Sequence, residues 1–273
     1  MMPSTLHPTP RGRAVVLEQI RLVGLGLRRE AWIAAVVLGI VTLAIAIETR
    51  GGAWIQLDSD ASAPISVAAF LFPFAIWKGE RRFGPAFLWT LPVDRRRLAL
   101  AKVFAGWVWL MGALAVFLAW LVALLLLSAA TAIPPAAVPQ SLRWLVPFTG
   151  ATAMYLLGSA LVLGLRHPLR WLLGTAGVFF LLASLSAVLG RTESGELRIV
   201  AWSDGLRQVV YGPYGLDTLL SSSGFVSAAE HAGAVWGTLP DPARWATTTL
   251  LWLGAGLAAL WAAASRHGER RRH

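Results

Sequence analysis

The chain has 273 residues, 56% of them hydrophobic and only 14% charged, with 14 Trp, no Cys and a formal charge of +10. That composition excludes an ordinary soluble globular domain, and the missing cysteine excludes a disulfide framework, a thiol nucleophile and a Cys-ligated metal. The basic residues are spread among apolar runs rather than gathered on one soluble module, so they read as topology signals and not as a nucleic-acid surface.

Residues 1–10 carry Pro3, Pro8 and Pro10 and no periodic pattern. From about Arg13 to Glu30, Val16, Ile20, Val23 and Leu27 recur at helical spacing, with Glu18, Arg21 and Arg28 elsewhere on the wheel. The spacing predicts a helix in the cytoplasmic interface, its apolar side toward the acyl chains; the alternative is an extension of the first span, which Gly24 and Gly26 leave open. Five Arg within residues 1–30 favour the interfacial helix. They also argue against a cleavable signal peptide, so the first span is expected to stay as an anchor.

Six apolar runs follow, at about 31–47, 61–77, 98–130, 144–165, 171–189 and 245–265. Each is near the ~20 residues needed to cross a hydrocarbon core of ~30 Å. The expected architecture is therefore an all-α integral membrane bundle of six transmembrane helices. It comprises a cytoplasmic segment 1–30, a spanning domain 31–265 and a basic tail 266–273. The third run exceeds the membrane thickness and is expected to tilt or project inward, and Pro73 is expected to kink the second. Trp32, Trp77, Trp144, Trp171 and Trp245 fall at run ends, where amphipathic rings anchor at headgroup level. With the N-terminus inside, 18 Lys and Arg lie on the cytoplasmic side and 6 outside, which selects the orientation with both termini cytoplasmic.

Between the second and third runs, Lys78 to Lys102 (KGERRFGPAFLWTLPVDRRRLALAK) holds seven of the chain's 24 Lys and Arg. Phe83, Phe87, Leu88, Trp89 and Leu91 are interleaved with these charges. Gly84-Pro85 reads as the start of a short amphipathic helix that Pro92 closes, and Asp94 stands where a carboxylate caps the next helix. The order Glu80, Gly84, Leu91-Pro92, Arg95 to Arg97 and Lys102 resembles the permease subunits of type-2 ABC exporters. In that family the acidic residue follows the second span, and a short coupling helix docks on a separate ATPase. The family often has Gly-Thr where this chain has Gly84-Pro85.

The resemblance implies a cytoplasmic coupling helix whose ATPase-binding residues are Glu80, Arg81, Phe83, Gly84, Phe87, Leu88, Leu91, Pro92, Arg95 and Arg96. It further implies a bacterial inner-membrane location, a second permease copy or paralogue, and ATP with Mg²⁺ bound by the partner ATPase. No Gly-rich phosphate loop, HExxH or Gly-x-Ser-x-Gly occurs in the chain, so no cofactor or catalytic role is assigned to it. The span interiors lack Asp, Glu and His, which counts against an ion-coupled transporter or an intramembrane hydrolase. His167, in the short Arg166–Arg170 turn, reads as an exposed interface residue, and Asp58 and Asp60 as solvated loop carboxylates.

Small residues instead populate the spans, as in Gly158-Ser159-Ala160, Gly174 to Gly177 and Gly254-Ala255-Gly256. They serve close packing within one bundle or a dimer interface, and a pathway with little charge suits a lipid-like or amphipathic substrate. The external segment 191–242 reads either as short helices capping the outer end, with a gating role, or as a surface loop with amphipathic turns. A non-transporting membrane anchor for a cytoplasmic partner is the other function open to such a chain.

Overall fold

A computed structural model describes residues 12–50, 62–78, 95–128, 145–189 and 242–269, and between the last two 205, 208–209, 212–220, 225–228 and 233–236. Helices α1 (Gly12–Gly26), α2 (Arg28–Arg50), α3 (Ser62–Trp77), α4 (Arg95–Ser128), α5 (Val146–Gly164) and α6 (Pro168–Leu189) are followed by a short α7 (Leu216–Leu220). A two-stranded ribbon of β1 (Phe225–Ala228) and β2 (Gly233–Trp236) then precedes α8 (Pro242–Glu269). Each of the six apolar runs thus lies on a long helix: α2, α3, α4, α5, α6 and α8. Among the described residues, three stretches are long and apolar enough to cross a membrane, namely Arg96–Trp120, Val146–Gly164 and Ala243–Arg266. This is the helical body of an integral membrane protein. With 34 residues, α4 is ~51 Å long, well beyond a ~30 Å hydrocarbon core.

The fold is organised on α5. Pro147 in its first turn needs no intrahelical donor, and an extended Leu165 ends it. Gly158 faces α3 so closely that a Cβ there would run into the Phe70 carbonyl, and Gly256 of α8 faces Leu156, where a Cβ would stand 2.9 Å from the Leu156 Cβ. Residues 156 and 158 are roughly 200° apart around a helix, so α8 and α3 pack on opposite sides of α5. The side between them belongs to α4. Tyr155, fully buried, donates its hydroxyl to the Val103 carbonyl at 2.7 Å, and Trp107 donates its indole N–H to Thr152 at 3.1 Å. A phenol and an indole can lie within the bundle only because each finds an acceptor on the neighbouring helix.

The expectation for small residues is met in part. Gly158 and Gly256 make the close approaches, while Gly174, Gly177 and Gly254 have open space where a Cβ would be. Pro73 is buried inside α3, and the helix continues past it to Trp77.

At the N-terminus the apolar stripe behaves differently from the expectation. Val23 and Leu27 are buried and Val16 and Ile20 half-buried, but α1 turns this stripe onto α4 rather than toward acyl chains. The cause is local: Gly24 leaves room for the Trp109 ring to lie against the helix, and Trp109 Nε1 donates to the Ile20 carbonyl at 2.8 Å. Helical hydrogen bonds run through the junction, Leu27 N to Val23 O and Ala31 N to Leu27 O, both 2.9 Å. Arg28, Arg29 and Glu30 therefore open α2 instead of ending α1. Beyond that junction α2 is linked to α4 by Trp120 Nε1 donating to Thr42 at 2.9 Å, and Trp32, Val36, Ile40 and Leu43 are exposed.

Within 191–242 the short helix expected at one end of the bundle is α7. Leu219 is fully buried over α5 and α8, and Leu220 lies against Gly150, where a Cβ would be 3.0 Å away. Two α8 side chains hold the preceding turn by its main chain: Arg244 Nε donates to the Pro213 carbonyl at 2.7 Å and Trp252 Nε1 to the Tyr214 carbonyl at 3.0 Å. The ribbon departs from an all-α architecture. β1 and β2 pair antiparallel with Phe225 opposite Trp236 and Ala228 opposite Gly233, and the β-branched and aromatic members of FVSA and GAVW favour a strand over a helix.

Candidate functional site

The end of the bundle from which residues 79–94 depart carries the candidate site. The C-terminus of α3 and the N-terminus of α4 lie there together. The C-terminus of α8 joins them, because Ala263 packs at the last residue of α5, 3.4 Å from where a Gly164 Cβ would stand. Helices α3, α5 and α8 therefore all end here by their C-termini, the negative ends of their dipoles.

Into this end α4 brings Arg95, Arg96 and Arg97 in its first turn, which itself holds no acidic residue; Asp94, just before it, lies outside the described residues. Cations at a helix N-terminus oppose the helix dipole, so they need another source of stabilisation. Two observations supply it. The Arg96 guanidinium stacks 3.6 Å above the Trp261 ring of α8, and Lys102 Nζ sits 4.4 Å above the Trp77 ring of α3. The adjacent C-terminal carbonyls of α3, α5 and α8 add partial negative charge. Lys102 is only 9% exposed, so its cation–π contact is largely desolvated, where such contacts reach ~2 kcal/mol.

The six-residue separation of Arg96 and Lys102 turns them to different faces of α4, one toward α8 and the other toward α3. The first two turns of α4 are thereby clamped between two neighbours. This junction is what the 79–94 segment is spliced into: its leading end follows Trp77 and Lys78, and its trailing end runs into Arg95 and Arg96.

Of the ATPase-contact residues expected from sequence, Glu80, Arg81, Phe83, Gly84, Phe87, Leu88, Leu91 and Pro92 lie outside the described residues, as does Asp94. Arg95 opens α4 and Arg96 lies on it, so these two are brought to the junction. Arg96 turns out to face a helix of its own chain. In the sequence Trp77 stands at a run end with no partner indicated, and Trp261 is one more aromatic of an apolar run. The signal for Trp261 is its place near the end of the apolar stretch Ala243–Arg266, the pattern of the other interface Trp residues. No protein-family model matches this chain, and it has no match among curated proteins or solved structures.

Proposed function

We propose that this chain is the membrane-spanning permease subunit of an ATP-driven exporter of the type-2 ABC class, located in a bacterial inner membrane with both termini cytoplasmic. Two such subunits, identical or paralogous, form the pathway. Separate ATPase subunits bind ATP and Mg²⁺, and the 80–97 segment is their docking element. The observation that carries this reading is the junction itself. A stretch with interleaved apolar and basic residues is tied at both ends into the packed bundle, through Trp77 with Lys102 on one side and Arg96 with Trp261 on the other. A push on that stretch is delivered to α3, α4 and α8 together rather than lost in a loop. The exposed apolar flank of α2, with Val36, Ile40, Leu43 and Ile47, is consistent with a second protomer as neighbour.

The test is copurification in mild detergent followed by substitution. A stoichiometric ATPase with phosphate-loop sequences is expected to accompany the chain. Replacing Phe87 and Leu88 together by Ser is expected to release it while the helices still insert, because buried aromatic and aliphatic anchors dominate such contacts. Full assembly and unaltered ATP hydrolysis in the double variant would remove the coupling role. A stoichiometric partner with no nucleotide site would favour the membrane anchor instead.

A further inference from the structure

We propose that the Arg-rich end of the bundle, centred on Arg166 in the α5–α6 connection, Arg170 in the first turn of α6 and Arg266 of α8, is a binding surface for anionic phospholipids. The inference rests on the chain being an integral membrane protein and is independent of whether it transports anything.

Three features converge. The first is charge: Lys78, Arg97, Arg166, Arg170 and Arg266 are exposed at this end, and across 78–102, 166–170 and 266–273 the only carboxylates are Glu80, Asp94 and Glu269. Among described side chains, the carboxylates are Glu18 and Glu30, on α1 and α2. The second is the way cations and apolar groups alternate. Exposed Leu169 and Trp171 flank Arg170, and exposed Trp261 precedes Arg266 by five residues, or ~7.5 Å along the helix axis. That offset matches the ~5–10 Å over which an interfacial segment passes from the acyl boundary to the headgroups. The third is continuity: from Trp171 onward α6 stays apolar and exposed through Leu173, Val178 and Phe180.

These features select a lipid over an acidic protein. A water-soluble acidic partner would meet only the cationic rim and leave the flank below it bare. A phospholipid answers both parts, its acyl chains lying along α6 and its phosphate reaching Arg166 and Arg170. The α5–α6 connection is suited to this because it is short: α5 ends at Gly164 and α6 starts at Pro168, which is buried, so Arg166 on the connection and Arg170 in the first turn of α6 are held within one short stretch. Arginine donates N–H groups in a planar fork that fits phosphate oxygens.

The experiment uses the full chain without any ATPase, reconstituted with equimolar phosphatidylglycerol and phosphatidylcholine, returned to detergent and analysed for retained lipid by mass spectrometry. Phosphatidylglycerol is expected to be enriched over phosphatidylcholine, and the enrichment to fall in high salt. Arg166→Gln with Arg170→Gln is expected to lower it by about five-fold per cation removed, from the ~1 kcal/mol that each basic residue contributes near an anionic surface. The corresponding double Lys variant is expected to keep most of it. If the double Gln variant does not fold, Arg170→Gln and Arg266→Gln taken singly give the same reading at smaller amplitude. Equal retention of the two lipids, or unchanged enrichment in the Gln variants, overturns the proposal. Loss of a cytosolic protein partner from those variants with lipid enrichment intact also overturns it, by assigning the surface to a protein.

Discussion

Gly158 sets how closely α3 can approach α5, and replacing it by Ala tests that packing directly. A Cβ at 158 would meet the Phe70 carbonyl oxygen and stand 3.0 Å from its carbonyl carbon and 3.3 Å from its Cα. All three atoms are main chain of a neighbouring helix, so no side-chain rotation relieves the clash, and the helices must separate. Overpacking of this kind costs ~1–3 kcal/mol, with Ala favoured over Gly by up to ~1 kcal/mol in a helix as the opposing effect. Gly174→Ala is the matched control, because nothing lies within 4 Å of its added methyl. It gains the propensity and loses nothing. Gly256→Ala should fall between them: its nearest neighbour, the Leu156 Cβ at 2.9 Å, is fixed by the α5 backbone, but it is met less closely than the Phe70 carbonyl is from position 158. Denaturation of the full chain in detergent, followed by tryptophan fluorescence, is expected to rank stability as Gly174→Ala, then Gly256→Ala, then Gly158→Ala. A Gly158→Ala variant as stable as Gly174→Ala would mean that α3 and α5 are not in main-chain contact, and the account of α5 as the central helix would fail.

Tyr155→Phe removes the bond to the Val103 carbonyl at 2.7 Å and is expected to cost ~0.5–1.5 kcal/mol, read in the same unfolding assay; no loss would show that the carbonyl finds an equal partner within α4. Because the chain has no native Cys, Ser59→Cys and Ser222→Cys are expected to react with an impermeant thiol reagent outside intact cells, and Arg96→Cys and His267→Cys are not. Labelling of Arg96→Cys from outside would reverse the orientation and remove the coupling assignment. Leu219→Cys is expected to be protected by burial in α7 and to become reactive when Arg244→Met and Trp252→Phe remove the two bonds that hold its turn. Equal reactivity in both backgrounds would show that those bonds do not fix the cap.

Apolar run length was enough to place all six long helices, because a stretch that has to satisfy its own main chain in an apolar setting can do so only as a helix. Facing was less legible. The small-residue runs read alike as close approaches, although Gly158 and Gly256 make them and Gly174, Gly177 and Gly254 do not, and the stripe from Val16 to Leu27 reads as a face toward acyl chains, not as one covered by α4. What covers it depends on Trp109 reaching the Ile20 carbonyl, 89 positions away in sequence. The same holds for Arg96 on Trp261 and Lys102 on Trp77: every partner is an unremarkable member of its own helix, and only the rotation of α4 between α3 and α8 brings them together. The ribbon escaped notice for another reason. Its strands are short and set among Gly, Ser and Ala, so period-two alternation had only four residues on each side in which to appear.

The two ends of the bundle are fastened by different chemistry, and that difference bears on how a displacement would travel. At the α7 end, Arg244 and Trp252 bond to main-chain carbonyls at 2.7 and 3.0 Å, contacts that weaken steeply when a donor moves by a fraction of an ångström. At the Arg96 and Lys102 end the contacts are cations over indole faces, which stay attractive out to ~6 Å from the ring centroid. Between the two ends, α5 meets α3 and α8 through Gly158 and Gly256 at separations that leave no slack. A partner pulling on residues 79–94 would therefore shift the first turns of α4 across Trp77 and Trp261 without breaking either contact at once. Trp77 and Trp261 would draw α3 and α8 with α4, and the close contacts of both helices with α5 leave the middle of the bundle little room to absorb the motion. With the α7 cap held by stricter bonds, the response at the far end would come as their release, a step rather than a gradual change.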